Sequence, residues 1–359
     1  MSARCLAVPI IAGALAWGSA PRALAAQGAA STLSDRRPVA TYSIVARDPS
    51  TGELGVAVQS HWFSVGPIVA WAEAGVGAVA TQSFVEPSYG PLGLDLMRAG
   101  RTAKQALAGL LAADPFPAVR QVAMIDRHGN VSAHTGEDAI IAAGHAVGEG
   151  FSVQANLMEH PTVWPAMAEA FRGAEGDLAA RMMAALEAAQ EAGGDIRGRQ
   201  SAALLVVTGE PTGQAWVDRV FDLRVEDHPR PLEELSRLLH LARAYREMNA
   251  GDGAMTEGDV AAAVGHYDAA SEMVPESAEM VYWAGVTLAS EGRMEEARPR
   301  FERAFAADTR WAVLTPRLPA AGLLPDDRTL LDAILSIDGG EPGRAEWRRL
   351  ADLGLVTRP

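Results

Sequence analysis

Lysine and cysteine are almost missing from these 359 residues: the chain holds one of each, Cys5 and Lys104. A single thiol excludes a disulfide framework and any cysteine-based metal site. A single lysine leaves one candidate for amine chemistry, and it sits at a polar helix position that suits a solvated side chain. None of the histidines, at 61, 128, 134, 145, 160, 228, 240 and 266, belongs to an H-E-x-x-H motif or lies beside carboxylates at ligand spacing. No metal and no cofactor is therefore expected. Gly75 to Ala80 fits G-x-G-x-x-A formally, but a strand-like run follows it where a dinucleotide fold needs a helix. Basic residues are outnumbered, 31 to 45, for a formal charge of −14. That balance argues against nucleic acid or an anionic membrane as partner. Long acidic blocks are absent too, which speaks against a disordered acidic tail.

No apolar run reaches the ~20 residues a spanning helix needs. The longest, Leu6 to Trp17, follows Arg4 and precedes Ala23-Leu24-Ala25, a small-x-small cleavage pattern. Residues 1–25 thus read as a signal peptide, placing the mature protein in the bacterial periplasm or outside the cell. Residues 26–40 form a small, polar, Arg/Pro-containing spacer expected to be disordered.

From Thr41 the pattern turns to short β runs. Thr41–Arg47 and Gly55–Gln59 read as strands joined by Asp48-Pro49-Ser50-Thr51-Gly52, with further strands at Ile68–Trp71 and Gly77–Gln82. Leu92–Arg98 and Thr102–Ala113 have helical spacing, and a hairpin is expected at Val122–Asp126 and Val131–His134. A strand at Phe151–Leu157 precedes helices at Thr162–Arg172 and Leu178–Ala192; strands at Ala202–Val207 and Trp216–Leu223 close the set. Two antiparallel sheets between helical layers bury these faces economically, which predicts an α+β sandwich over 41–228.

Beyond His228-Pro229 the pattern is wholly helical. Gly258, Ala263, Tyr267 and Ala270 recur as Gly292, Ala297, Phe301 and Ala304, each 34 residues later. That is the tetratricopeptide period, so 229–322 is expected to form an all-α tetratricopeptide-like domain that docks a protein partner or a second copy. Its earlier repeat fits only if Gly251–Gly258 carries an insertion. Residues 323–359 are expected to add capping helices with Trp347 and Leu350 buried.

The chemistry centres on Thr41. A Thr that opens a hairpin strand suits an enzyme whose nucleophile is its own first residue: the hydroxyl attacks, and the α-amine accepts its proton. Ser43 shares its strand face and can orient the amine or serve as nucleophile itself. Asp48 either holds the ammonium through the hairpin or merely starts the turn. His134 either relays protons or caps a turn. Arg197-Gly198-Arg199-Gln200-Ser201 either edges a substrate pocket, with an arginine clamping a carboxylate, or pairs with Asp195. An internal Ser201 or Ser43 working with His134 is a further option.

The stretches TYSIVARDPSTGELGVAV, AGVGAVATQ, YGPLGLDLM, HTG, GEGFSVQANLM, GGDIRGRQSAALLVV and DLRVEDHP resemble the bacterial family called domain of unknown function 1028, from about Thr41 to Leu239. The resemblance implies the four-layer αββα fold of the N-terminal-nucleophile hydrolases. It makes Asn156 the oxyanion-hole candidate, with Gln154 on the same strand face, and points to an exported amidohydrolase acting on a small polar amide. The amine exists only if the Ala40–Thr41 bond is cut. Without that cut, the same fold serves as a non-catalytic binding or scaffold protein.

Overall fold

A computed structural model describes residues 41–356, so the expected leader (1–25) and spacer (26–40) lie outside the described residues. The architecture is mixed α+β: two antiparallel sheets followed by a helical region. The elements run β1 (Thr41–Arg47), β2 (Leu54–Ser60), α1 (Gly66–Val69), β3 (Ala70–Glu73), β4 (Gly77–Ser83), α2 (Tyr89–Arg98), α3 (Ala103–Ala113), β5 (Arg120–Asp126) and β6 (Val131–Thr135). Next come β7 (Gly144–Gly148), β8 (Phe151–Asn156), α4 (Val163–Gly173), α5 (Leu178–Glu191), β9 (Ser201–Val207) and β10 (Arg219–Val225). The helical region holds α6 (Pro231–Glu257), α7 (Val260–Met273), α8 (Ala278–Ser290), α9 (Met294–Ala307), α10 (Arg310–Leu314), α11 (Arg328–Leu335) and α12 (Glu341–Asp352).

One sheet has six strands in the order β10-β9-β2-β1-β8-β7, the other four in the order β3-β4-β5-β6. Alternation along each strand sends one set of side chains into the space between the sheets and the other outward. Val45, Leu54, Val56 and Val58 meet Ala78, Ala80, Ala123 and Ile125 between them. Outward, Tyr42, Ile44, Val153 and Leu204 pack under Met167, Phe171, Met182 and Leu186 of α4 and α5. On the other sheet Val79, Val122 and Met124 pack under Leu94 and Met97 of α2 and Leu107 of α3. Strands buried on both faces explain why the sequence shows apolar runs rather than clean alternation.

Some boundaries differ from the sequence reading. The strand expected at Ile68–Trp71 is a single helical turn, α1, feeding β3, because Pro67 sits at the start of the turn, where its missing N–H costs nothing. β10 begins at Arg219, since Asp218 accepts from the backbone and hydroxyl of Thr212 and closes a turn that leaves Trp216 75% exposed. β7 was not anticipated; Gly-His-Ala-Val-Gly at the sheet edge has too few apolar residues to read as a strand.

α6 runs unbroken through Gly251, so the residues of the expected insertion up to Glu257 are helical. A glycine within a helix costs about 1 kcal/mol relative to alanine. Here it is required, because a Cβ at Gly251 would lie 2.5 Å from the ring of Tyr267. The 34-residue pairs occupy matching places: Gly258 and Gly292 are left-handed, at φ 81° and 76°. Ala263, Tyr267, Ala270, Ala297, Phe301 and Ala304 are all buried. The first turns of α6 pack Leu232, Leu235 and Leu239 into the outer core of the six-stranded sheet, so the helical region shares that core. At the far end Trp347 and Leu350 of α12 are buried. No described helix is long and apolar enough to cross a membrane.

Candidate active site

Strand register aligns four polar side chains in one row across the inner face of the six-stranded sheet: Ser201 on β9, Ser60 on β2, Thr41 on β1 and Asn156 on β8. Two residues along, Ser43 pairs with Gln154, which pairs with His145 on β7. From the facing sheet, the neighbours Gln82 on β4 and Gln121 on β5 reach across the gap, with Thr135 of β6 beside Gln121. Thr41, Ser43, Ser60, Gln82, Gln121, Gln154 and Asn156 are essentially without solvent exposure. Polar groups buried this deeply must be satisfied by one another.

All but one atom of the set are, through a continuous network. The Thr41 hydroxyl donates to Ser60 Oγ at 3.2 Å. The Thr41 carbonyl accepts from Gln82 Nε2 at 3.1 Å and from Asn156 Nδ2 at 3.5 Å. Ser43 donates to Gln82 Oε1 and accepts from Gln154 Nε2, both at 2.6 Å. Gln121 Oε1 accepts from Gln82 Nε2 at 2.7 Å and Asn156 Nδ2 at 3.0 Å. The amide nitrogen of Gln121 donates to Thr135 Oγ1 at 2.9 Å and lies within reach of the Ala155 and Gly144 carbonyls. Asn156 Oδ1 alone in this set is buried without a partner.

His145 marks the edge of the network. Its Nδ1 lies 2.8 Å from Thr135 Oγ1. That hydroxyl also accepts from Gln121, so it links His145 to the edge of the amide network. Partial desolvation of this largely surface-facing ring, helped by the nearby His134, lowers the His145 pKa. Beside it opens a cleft of about 590 Å³ lined by Thr135, Ile141, Gly144, His145 and Trp164.

Backbone strain collects around the same end of the sheets. Among the described residues, the non-glycine residues with positive φ are Ser64 (55°), Ser83 (72°), Ala142 (59°) and Leu157 (58°). Ser83 directly follows Gln82, and Leu157 directly follows Asn156. Ala142 lies two residues before Gly144, and Ser64 precedes Val65, whose N–H donates to Ser201 Oγ. Each such residue costs about 1–3 kcal/mol, and strain of this kind persists only where the surrounding structure over-determines it.

The remaining sequence candidates fall elsewhere. Asp48 is not beside Thr41: β1 separates them, about 20 Å at ~3.3 Å per residue. A turn residue sits at the opposite end of the hairpin from the strand's first residue. Its carboxylate accepts from Ser50 N at 2.8 Å and Thr51 N at 3.1 Å. Partial burial would raise its pKa, but these bonds and Arg181 hold it below the usual value. His134 neighbours Thr135 and so points away from the network, with Nε2 2.8 Å from the Pro117 carbonyl. Arg197 is engaged by Asp195, Nη2 to Oδ2 at 2.9 Å. Gln200 donates to Asp227 at 3.2 Å. Ser201 stands in the row, but its hydroxyl is tied between the Trp62 carbonyl and Val65 N–H, latching the loop after β2. Arg199 lines a separate cleft of about 480 Å³ with Glu187, Gln190 and Arg230. That cleft adjoins the outer face of β1, where the Tyr42 hydroxyl donates to Gln190.

Ser60, Gln82, Gln121 and Thr135 were not anticipated. A glutamine inside an otherwise apolar strand run, as in Val79-Ala80-Thr81-Gln82 or Gln121-Val122-Ala123-Met124, is the signal that points to them. Among the described residues no group of three or more His, Cys, Asp or Glu is arranged to hold a metal ion.

A family model described as a family of unknown function (DUF1028) matches residues 41–235, more than half of the chain. A solved crystal structure of a Silicibacter pomeroyi protein, described with the same family model, is similar. The two share 29% identity at a TM-score of 0.51, over 56% of this chain and 89% of that one. No curated protein matches.

Proposed function

Since the chain belongs to the DUF1028 family, whose description names no activity, we propose a function from the site itself: an exported amidohydrolase of the N-terminal-nucleophile type. One observation carries the reading. A threonine opens a central strand of the six-stranded sheet and faces the other sheet, with amide donors at its carbonyl and strained backbone around it. Helices against both outer faces are consistent with the αββα layering of that hydrolase class, and the 34-residue spacing with tetratricopeptide-like repeats that dock a protein partner or a second copy.

On this reading the Ala40–Thr41 bond is cut first, turning the Thr41 nitrogen from an amide into a primary amine. The hydroxyl oxygen then attacks a substrate amide carbonyl while the amine takes the hydroxyl proton. Collapse of the tetrahedral intermediate breaks the C–N bond; the proton passes to the departing nitrogen, and an ester on Thr41 remains. Water attacks the ester, releasing the acid and restoring the hydroxyl. The cleft beside His145 and Trp164, joined to the Thr41 network through Thr135 and Gln121, is the nearest opening for a substrate. The amide hydrogens of Asn156 are committed to Gln121 and the Thr41 carbonyl, so the geometry does not favour it as the oxyanion donor.

A non-catalytic scaffold is the second reading, because an uncut chain has only an amide nitrogen at Thr41. Mass spectrometry of the exported protein separates the two. A mature chain starting at Thr41, inactivated by Thr41→Ala, supports the hydrolase; one starting at Ala26 supports the scaffold.

A further inference from the structure

We infer that Asn156 serves Thr41 as a hydrogen-bond acceptor for its liberated α-amine, and that Gln121 is the positioning residue that turns the Asn156 amide that way. The chemistry of this role rests on the hydrolase reading above; the orientation follows from the hydrogen-bond network alone.

One end of the Gln121 amide meets only groups that can accept: the Ala155 carbonyl at 2.9 Å, the Gly144 carbonyl at 3.2 Å and Thr135 Oγ1 at 2.9 Å. Carbonyl oxygens cannot donate, so that end is the nitrogen and the other is Oε1. Oε1 lies 2.7 Å from the Gln82 amide and 3.0 Å from the Asn156 amide, and each of these must therefore present its NH2 group. The oxygen of Asn156 is left facing away from Gln121. It is fully buried and has no partner.

A buried acceptor without a donor is costly, and cutting the chain supplies the donor. As an amide, the Thr41 nitrogen carries one hydrogen; as an amine it carries two, or three when protonated. Thr41 is the direct cross-strand partner of Asn156, whose amide already reaches the Thr41 carbonyl. In the cut chain the neutral amine donates one N–H to Asn156 Oδ1, leaving its lone pair directed at the Thr41 hydroxyl proton. The ammonium formed on proton transfer is held by the same oxygen. Asn156 thus raises the basicity of the amine instead of stabilising charge on the substrate.

The test uses the full chain with a specific protease site placed so that cutting the folded protein leaves Thr41 first. The pH dependence of acetylation of the new N-terminal peptide, read by mass spectrometry, gives the pKa of the amine. Lys104 is the sole lysine, so competing side-chain labelling is confined to one peptide. We expect Asn156→Ala to lower that pKa by about one unit, Gln121→Leu to reproduce most of the fall by freeing the Asn156 amide, and Asn156→Asp to raise it. An amine pKa unmoved by Asn156→Ala and Gln121→Leu overturns the assignment, whatever happens to turnover. Should the alanine variant not fold, an unmoved pKa in Asn156→Asp does the same. If the cut protein hydrolyses no amide while the shifts appear as expected, the hydrolase reading falls and the assignment of Asn156 stands.

Discussion

Gln59 and Gln82 are both fully buried, yet the same substitution at each is expected to change stability in opposite directions. Gln59 lies on β2 directly across from Tyr42 and Ala202, facing the core under α5. Neither its Oε1 nor its Nε2 has a protein partner. Burying an amide that bonds nothing costs about 1–3 kcal/mol, so Gln59→Met, which keeps length and shape, should stabilise the protein by about 2 kcal/mol. Gln82 is the reverse case: it accepts from Ser43 at 2.6 Å and donates to Gln121 at 2.7 Å and Thr41 at 3.1 Å. Gln82→Met leaves the Ser43 hydroxyl without its acceptor and weakens the bonding of Gln121 and Thr41. One orphaned hydroxyl at about 1–3 kcal/mol, with two hydrogen bonds lost at about 1 kcal/mol net each, gives a loss of about 3 kcal/mol. Urea unfolding followed by far-ultraviolet circular dichroism measures both, and unchanged m-values assign the shift to stability rather than compactness. Shifts of the same sign, or a destabilised Gln59→Met, would show that partner count does not govern these sites.

Two further predictions concern carboxylates. Burial acts to raise the pKa of Asp114, but bonds from Arg120, the Phe116 N–H and Tyr89 outweigh it and hold the pKa below the ordinary value. A depressed folded pKa gives stability that is full above the unfolded value near ~3.9 and is lost as pH falls through the folded value. Asp114→Asn should remove that acid dependence and, by leaving buried Arg120 unpaired, cost about 3–5 kcal/mol in thermal or urea unfolding at pH 7. In the helical region the hydrogen bond from Arg349, reinforced by Arg317, holds Glu346 down at about 2. Its contribution is present above the unfolded value near 4.5 and fades toward pH 2. Melting curves of Glu346→Gln should therefore depend less on pH between those limits than wild type.

The hairpin at Asp48–Gly52 was legible because turn chemistry is local, and so was the shared face of Thr41 and Ser43, since a period of two is intrinsic to a strand. Of the two roles open to Asp48 only the turn fits, and the other could be excluded in advance: seven residues of strand separate its ends by about 20 Å whatever the fold. Gln82 and Gln121 were out of reach for a different reason. They come from the facing sheet, 41 and 80 positions along the chain from Thr41, and no local pattern specifies which strands will oppose. The extent of α6 was hidden because a helix glycine is read as a break; only the ring of Tyr267, brought there by the next helix, explains Gly251. Sequence thus carried what depends on neighbours in the chain, while sheet opposition and helix pairing decided the site's second half.

The site's electrostatics bear on which group removes the Thr41 proton. Side chains bonded to Thr41 include Ser60, Gln82 and Asn156; Gln82 bonds Ser43 and Gln121, Asn156 bonds Gln121, and Ser43 bonds Gln154. Hydroxyls and amides are not bases near neutral pH. His145 joins the network only through Thr135 and then Gln121. The link at Gln121 is an amide nitrogen, which donates hydrogens and cannot accept one, so no proton passes from Thr41 to the imidazole by this route. On the proposed hydrolase reading, the α-amine is the base. In the cut protein, kcat/KM should accordingly rise with pH through an amine pKa near ~7.7–8.0, adjusted by its surroundings. His145→Asn should leave the midpoint of that rise where it is. A histidine base would instead set the midpoint below the usual imidazole value, since burial lowers the pKa of His145, and the rise would vanish in His145→Asn. Loss of the alkaline rise in that variant, with Thr41 still first in the chain, would remove the amine from the mechanism.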